Sequence, residues 1–290
     1  MTPVYCLLPE RACIEVRGTD AAAFLQGQLS RTVDTLPSTQ APLAAWLDAR
    51  GRVRALFRVV RLDDRYLLFT ERDAAAAVVT KLRMFVLRAA VTIESTEHWG
   101  MAALVDPSAA AAGVPPPDTP RDTLVVRGEL RWLRVGPALW HVLGTRAAVE
   151  GFEPAIVRAP ESAAALAEIE LGIPAVSAAL TDRYVAQMLN LDRLGALSFD
   201  KGCYPGQEIV ARVRHLGSVK RRMRRYAGDS SAAAPVPGAE VVTAAGQPAG
   251  EIVRAAPRDG GFEALAVVDD AAAQAPLHVA GIPLREQPLP

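Results

Sequence analysis

Apolar and polar residues alternate along CIEVRG at 13–18 as in a strand with one buried face, and Thr19 or Asp20 then stands where a helix containing Phe24 and Leu25 would be capped. In GRVRALFRVVRL at 51–62, Val53, Ala55, Phe57 and Val59 share one face while Arg52, Arg54 and Arg58 share the other, which predicts a strand with one dry and one basic face. YLLF follows across the turn-like DDR, residues 73–88 carry Val78, Leu82 and Phe85 at helical spacing, and VTIE reads as a further strand. Strands and helices mixed in this order make an α+β unit.

The pattern then breaks. PSAAAAGVPPPDTPRD at 107–122 is proline- and alanine-rich, a long loop or connection, with a boundary near it. Beyond it TLVVRGELRWLRVG predicts a hairpin turning at Gly128-Glu129, ALWHVLG another strand, and 161–171 a helix, so the α+β pattern occurs twice. After about Gly217 the helical signals stop. RRMRRYA, EVVTA, EIVRA, EALAVV and LHVA alternate with glycine and proline turns, the punctuation of a small all-β barrel or sandwich. The expected division is 1–106, 107–217 and 218–290. Alanine runs such as 74–77 and 109–112 carry no chemistry.

Composition narrows the function classes. Half of the 290 residues are apolar, ample for a core. Thirty-two basic residues balance thirty-two acidic ones, so no overall field draws the chain to nucleic acid or an anionic membrane, and any anion site must be local. MTPVYCLLPERACIEV has no basic segment before its short apolar stretch, and no run approaches the ~18 apolar residues of a membrane span, so a cytoplasmic location is expected. Cys6, Cys13 and Cys203 form no CxxC pair, and His98, His141, His215 and His278 are scattered; neither a disulfide framework nor a metal site is written here.

The densest segment is NLDRLGALSFDKGCYPGQEIVARVRHLGSVKRR at 190–222. Ile209, Val210, Val213 and Leu216 recur at helical spacing, which sets Cys203 in the loop before a helix N-terminus. Unpaired amides there favour a thiolate, and Lys201 would add to the effect, so Cys203 is a candidate reactive thiol with Lys201 as its activator. The plainer reading of any cysteine is a small packed side chain, and Cys6 and Cys13, in β-like apolar sequence, keep it. Gly202 and Gly206 suit turn geometry, Tyr204 either stacks on a ligand or packs, and Glu208 complements the helix dipole.

KGCYPGQE at 201–208, with NLD upstream and VAR downstream, resembles the signature of the YgfZ family, relatives of the glycine-cleavage aminomethyltransferase, or T-protein. RGTDAAAFLQGQLS at 17–30 and IELGIP at 169–174 resemble two further segments of that family, so the similarity spans most of the chain. The resemblance implies two α+β folate-binding units around a central cavity and a C-terminal β-barrel, with tetrahydrofolate or a derivative as cofactor. It sets Glu170 where the relatives hydrogen-bond the pterin ring, and marks Gly202, Tyr204, Gly206, Gln207, Glu208, Arg212 and Arg214 as candidate cofactor contacts. T-protein's acidic pair, written GGxxDD, falls on Ala55 and Leu56. Without that carboxylate nothing orients folate and aminomethyl group for transfer, so a classical enzyme is not expected.

The implied function is that of a folate-binding accessory protein for assembly or repair of iron–sulfur clusters in client enzymes, including those that modify tRNA. Its partners would be folate and those client or assembly proteins. A folate-dependent one-carbon transferase is one alternative. The other is a direct tRNA-binding module: half of residues 212–225 are lysine or arginine, including Arg221 and Arg222, a run that suits either a folate glutamate tail or an RNA backbone. The balanced charge and lack of an aromatic-rich RNA motif count against the RNA reading.

Overall fold

The computed structural model describes residues 3–106, 114–116, 118–152, 156–217, 219–230 and 233–290; much of the connection expected at 107–122, including the alanine run, lies outside them. The first stretch forms β1 (Val4–Leu7), β2 (Arg11–Arg17), α1 (Ala21–Gln28), β3 (Leu43–Leu47), β4 (Val53–Arg61), β5 (Arg65–Glu71), α2 (Arg72–Arg83), β6 (Thr92–Thr96) and β7 (Trp99–Val105). The second forms β8 (Leu124–Arg127), β9 (Leu130–Gly136), β10 (Leu139–Thr145), α3 (Arg146–Glu150), β11 (Val157–Arg158), α4 (Glu161–Glu170) and, after two short 3-10 turns, α5 (Gln207–Leu216). The third holds β12 (Arg221–Asp229), β13 (Glu240–Thr243), β14 (Pro248–Arg258), β15 (Gly261–Asp269), β16 (Leu277–Val279) and β17 (Ile282–Gln287).

These strands make a five-stranded sheet, β3-β4-β5-β2-β6, a six-stranded sheet, β11-β1-β7-β10-β9-β8, and a closed barrel, β12-β15-β14-β13-β16-β17. The fold class is α+β, with a closed β-barrel at the C-terminal end. The sheets do not follow a division at 106/107, because β1 and β7 pair with strands of the second stretch: β7 lies between β1 and β10. Alternation marks a strand's faces and says nothing of its partner. The Gly128-Glu129 hairpin forms as expected, with Arg127 opposite Leu130.

Two local expectations need correction. Asp20 occupies the N-cap position of α1 without capping it; its carboxylate accepts from the Ala90 amide at 2.8 Å. Gly18 permits that approach, since a Cβ at its φ of +122° would lie 1.9 Å from the Ala90 carbonyl oxygen. The helix expected over 73–88 stops at Arg83, leaving Met84, Phe85 and Leu87 exposed, with the Phe85 and Trp46 rings in a T-shaped contact.

The expected basic face of β4 is no solvated face. Ala55, Phe57 and Val59 pack toward α1 and α2, whereas Leu56 and Val60 enter a second core between the sheets. Arg58 is buried, and Arg54 lies over Trp46 and pairs with Asp182; only Arg52 stays exposed. Covered on both sides, the strand keeps its arginines by giving them partners in place of water. That second core joins both sheets, α4 and the outer barrel wall through Cys13, Ala103, Ile169 and Val253.

Candidate functional site

Where these layers meet is a cavity of about 30 Å³, lined by Leu56 and Arg58 of β4 and by Arg11, His141, Glu168 and Ile173, among others. That volume holds about two water molecules. Glu168 lies on the buried stripe of α4 with Ala164 and Ala167, so the helical repeat itself turns its carboxylate inward. Arg11 Nη2 donates to its Oε2 at 2.8 Å, and Arg254 pairs with the same oxygen. A bulge in β14 at 252–254 re-aims Arg254: Ile252 and Ala255 point into the barrel, while Val253 and Arg254 both face outward. Arg11 also pairs with Glu71, closing an ion network across all three layers.

Burial alone would push the Glu168 carboxyl up; the Arg11 and Arg254 guanidinium groups hold it well below the usual carboxylate range. Burial pushes His141 down, so its imidazole is neutral at pH 7, and its Nε2 lies 3.0 Å from Glu168 Oε1 without the alignment of a hydrogen bond. Arg58 Nη1 donates to the Ala41 carbonyl at 3.1 Å and to Asp122, whereas its Nη2 has no partner. Arg11 Nε is likewise buried without a hydrogen bond, and lies 3.8 Å from Glu10 Oε1. A buried donor without a partner, such as Arg58 Nη2, prefers an acceptor.

Helix α5 begins at Gln207, and Cys203 is exposed in the loop before it, while Cys6 and Cys13 are buried, where desolvation raises both thiols. Lys201 is not free to activate Cys203. Its ammonium donates to the carbonyls of Gln26 at 2.7 Å, Leu29 at 2.5 Å and Arg31 at 3.0 Å, clamping the C-terminal end of α1, and burial draws it down to about 8. Tyr204 is buried beneath Lys201, a packed aromatic, and Gln207 Oε1 accepts from its amide at 3.2 Å. Gly206, at φ +79°, sits against the turn of Asp48 and Gly51, while Gly202 faces open space. Glu208 and Arg212 are exposed, and Arg214 stacks on Phe199 at 3.9 Å.

None of residues 201–208 lines the central cavity. Glu170 does not line it either; it is exposed at the end of α4, 3.5 Å from Arg225. The position expected to lack an acid does face the cavity through Leu56, while Ala55 points to the opposite core. Within the basic run, Arg222, Arg224 and Arg225 belong to β12 and pair with Asp192, with Asp270 and Glu286, and with Glu263. Sequence reasoning missed Glu168, Arg11, His141 and Arg254. For Glu168 one signal existed, an acid at i+4 from Ala164 on an apolar helix stripe. Among the described residues no group of three or more His, Cys, Asp or Glu could hold a metal ion, and no helix is long and apolar enough to cross a membrane.

No protein-family model matches the chain. Among curated proteins it is 30% identical over 224 residues to "tRNA-modifying protein YgfZ" of Colwellia psychrerythraea, covering 74% of this chain and 69% of that one. It is 31% identical over 229 residues to the protein of the same name from Vibrio atlanticus, covering 76% and 68%. The Edwardsiella ictaluri protein of that name is 32% identical over 223 residues, covering 72% and 66%. Among solved structures, the glycine cleavage system aminomethyltransferase T of Bartonella henselae superposes with a TM-score of 0.68 at 17% identity, covering 100% of this chain and 86% of that one. At that identity the likeness is one of fold.

Proposed function

The chain belongs to the YgfZ family, and from that membership we propose that it is a folate-binding accessory protein of tRNA modification, supporting assembly or repair of iron–sulfur clusters in client enzymes. The observation that carries the reading is the central cavity, lined by a buried carboxylate, Glu168, and by the guanidinium-bearing Arg11 and Arg58, whose Nη2 has no hydrogen-bond partner. The chemistry of the lining suits the polar edge of a pteridine: Glu168 Oε1 keeps acceptor capacity for ring N–H groups, and Arg58 keeps a donor, Nη2, without a hydrogen-bond partner. Two water molecules' room is less than a pteridine needs, so binding requires the lining side chains to move apart. Glu168, rather than Glu170, is then the carboxylate for the ring.

Leu56 supports an accessory role over aminomethyl transfer, because the cavity wall presents a methyl-bearing side chain where a transferase needs a carboxylate. The pairing of Arg222, Arg224 and Arg225 with acids weakens the reading of direct tRNA binding, and leaves exposed Arg212 and Phe199-stacked Arg214 for a folate glutamate tail. Cys203, exposed and outside the cavity lining, stands where a client protein would meet it. Calorimetry with tetrahydrofolate tests the first step: saturable binding is expected, weakened by Glu168→Gln and little changed by Glu170→Ala. Iron–sulfur enzyme activities in a deletion strain test the second, and unchanged activities would remove the accessory role.

A further inference from the structure

Seven large hydrophobic side chains are exposed among the described residues, and three of them fall in one turn: Met84 at 73%, Phe85 at 42% and Leu87 at 86%. Single exposed hydrophobics are ordinary, but three within four residues make a patch. The turn that carries them is held at both ends. Where α2 stops, the amides of Met84, Phe85 and Val86 donate to the carbonyls of Lys81, Leu82 and Arg83 at 3.2, 3.0 and 3.0 Å. At the far end, the Ala90 amide donates to the Asp20 carboxylate at 2.8 Å and its carbonyl accepts from the Asp20 amide at 3.4 Å, at the start of α1. Between these ends Val86 packs on the core beneath and the Phe85 ring meets Trp46. Trp46 Nε1 in turn donates to Gln28 Oε1 at 3.2 Å, at the end of α1 that Lys201 clamps two residues before Cys203.

The charges around the patch have one sign. No acidic residue lies between Asp73 and Glu94, whereas Lys81, Arg83 and Arg88 do. Lys81 is 3.6 Å from Asp182, but neither Arg83 nor Arg88 makes an ion pair among the described residues; Arg83 Nε donates to the Ile93 carbonyl at 2.8 Å and the guanidinium keeps its charge. We propose that Met84, Phe85 and Leu87 form a docking knob for a protein partner that carries an apolar pocket rimmed by aspartate or glutamate. The identity of that partner as a client or assembly protein rests on the accessory reading above; the chemistry of its pocket rests on the turn alone. Met84 and Leu87 stand out from the surface, so their complement is concave, and Arg83 and Arg88 beside them call for carboxylates at its edge. A second copy of this chain fits less well, because a two-fold contact sets the same patch, with the same cations, against itself. An anionic membrane fits less well too, since a single turn on a chain with balanced charge supplies little apolar area and no overall attraction.

Photo-crosslinking in cells, with p-benzoylphenylalanine in place of Met84 and the adducts mapped by mass spectrometry, tests this. The expected adducts lie on a protein, at an apolar site with aspartate or glutamate beside it, and fall about tenfold when Leu87→Ser or Arg88→Glu is added. Both substitutions are at exposed positions and should leave melting and tetrahydrofolate binding as in the wild type. Adducts only with lipid, adducts only with a second copy of this chain, adducts indifferent to both substitutions, or none at all overturn the docking knob. In a deletion strain, Leu87→Ser and Arg88→Glu should restore little of the iron–sulfur enzyme activity that the wild-type protein restores. Adducts with an acid-rimmed pocket on a protein unrelated to iron–sulfur enzymes support the knob and remove the accessory reading, so the two fail separately.

Discussion

Arg11 on β2 and Glu168 on α4, 157 residues apart, meet at 2.8 Å in the middle of the molecule. The pair ties the five-stranded sheet to the helix beside the six-stranded sheet, and Arg254 joins the barrel to the same carboxylate.

Removing one member of a buried ionic group leaves the others without compensation. Glu168→Gln should therefore lower the unfolding free energy by about 3–5 kcal/mol at pH 7, read from urea melts. The folded-state carboxyl is depressed, so its stabilisation is complete above the unfolded carboxyl's range, near pH 4.5, and is lost as pH falls toward the folded value. Wild type and variant should converge in stability as the pH drops below that range. A gap of constant size from pH 7 down to pH 3 would show that the carboxylate is not held in this way.

Lys201→Met should act on the fold. Three carbonyls at the end of α1 lose their donor, and a loss of about 2–4 kcal/mol is expected. Thermal or urea melts read it directly. A neutral change in stability, together with slower alkylation of Cys203 in the folded variant, would restore Lys201 as an activator of the thiol.

Alkylation with iodoacetamide, followed by mass spectrometry, should modify Cys203 in the native protein while Cys6 and Cys13 stay protected until the chain unfolds. Cys203→Ala should alter stability by no more than about 0.5 kcal/mol, as for other exposed positions. It should fail to restore iron–sulfur enzyme activity in a deletion strain; full restoration would leave the thiol without a role.

The two glycines of KGCYPGQE should respond differently. Gly206→Ala forces a left-handed residue and sets a Cβ 2.5 Å from the Asp48 carbonyl oxygen. A loss of about 1–3 kcal/mol is expected from the backbone alone. Gly202→Ala meets no atom within 4 Å and should be close to neutral in the same melts.

Much of this protein was decided locally. Spacing of apolar residues set α4 and α5 almost to the residue, Gly128 the hairpin between β8 and β9, and the glycine- and proline-punctuated stretch after 217 the strands that close into the barrel. The loop position of Cys203 followed from the start of α5. These features depend on backbone geometry and on neighbours three or four residues away, which the sequence carries explicitly. Partnership was decided by the tertiary structure: β1 and β7 joined the second sheet, Arg58 went inside because Asp122 and Ala41 were there to receive it, and Lys201 found carbonyls as much as 175 residues away. Glu168 and Glu170 differ only in which side of a helix they occupy, and the one that entered the cavity did so because Arg11 and Arg254, distant in sequence, compensate its burial. A buried charge is stable only where its counter-charges converge, and that convergence exists in three dimensions alone.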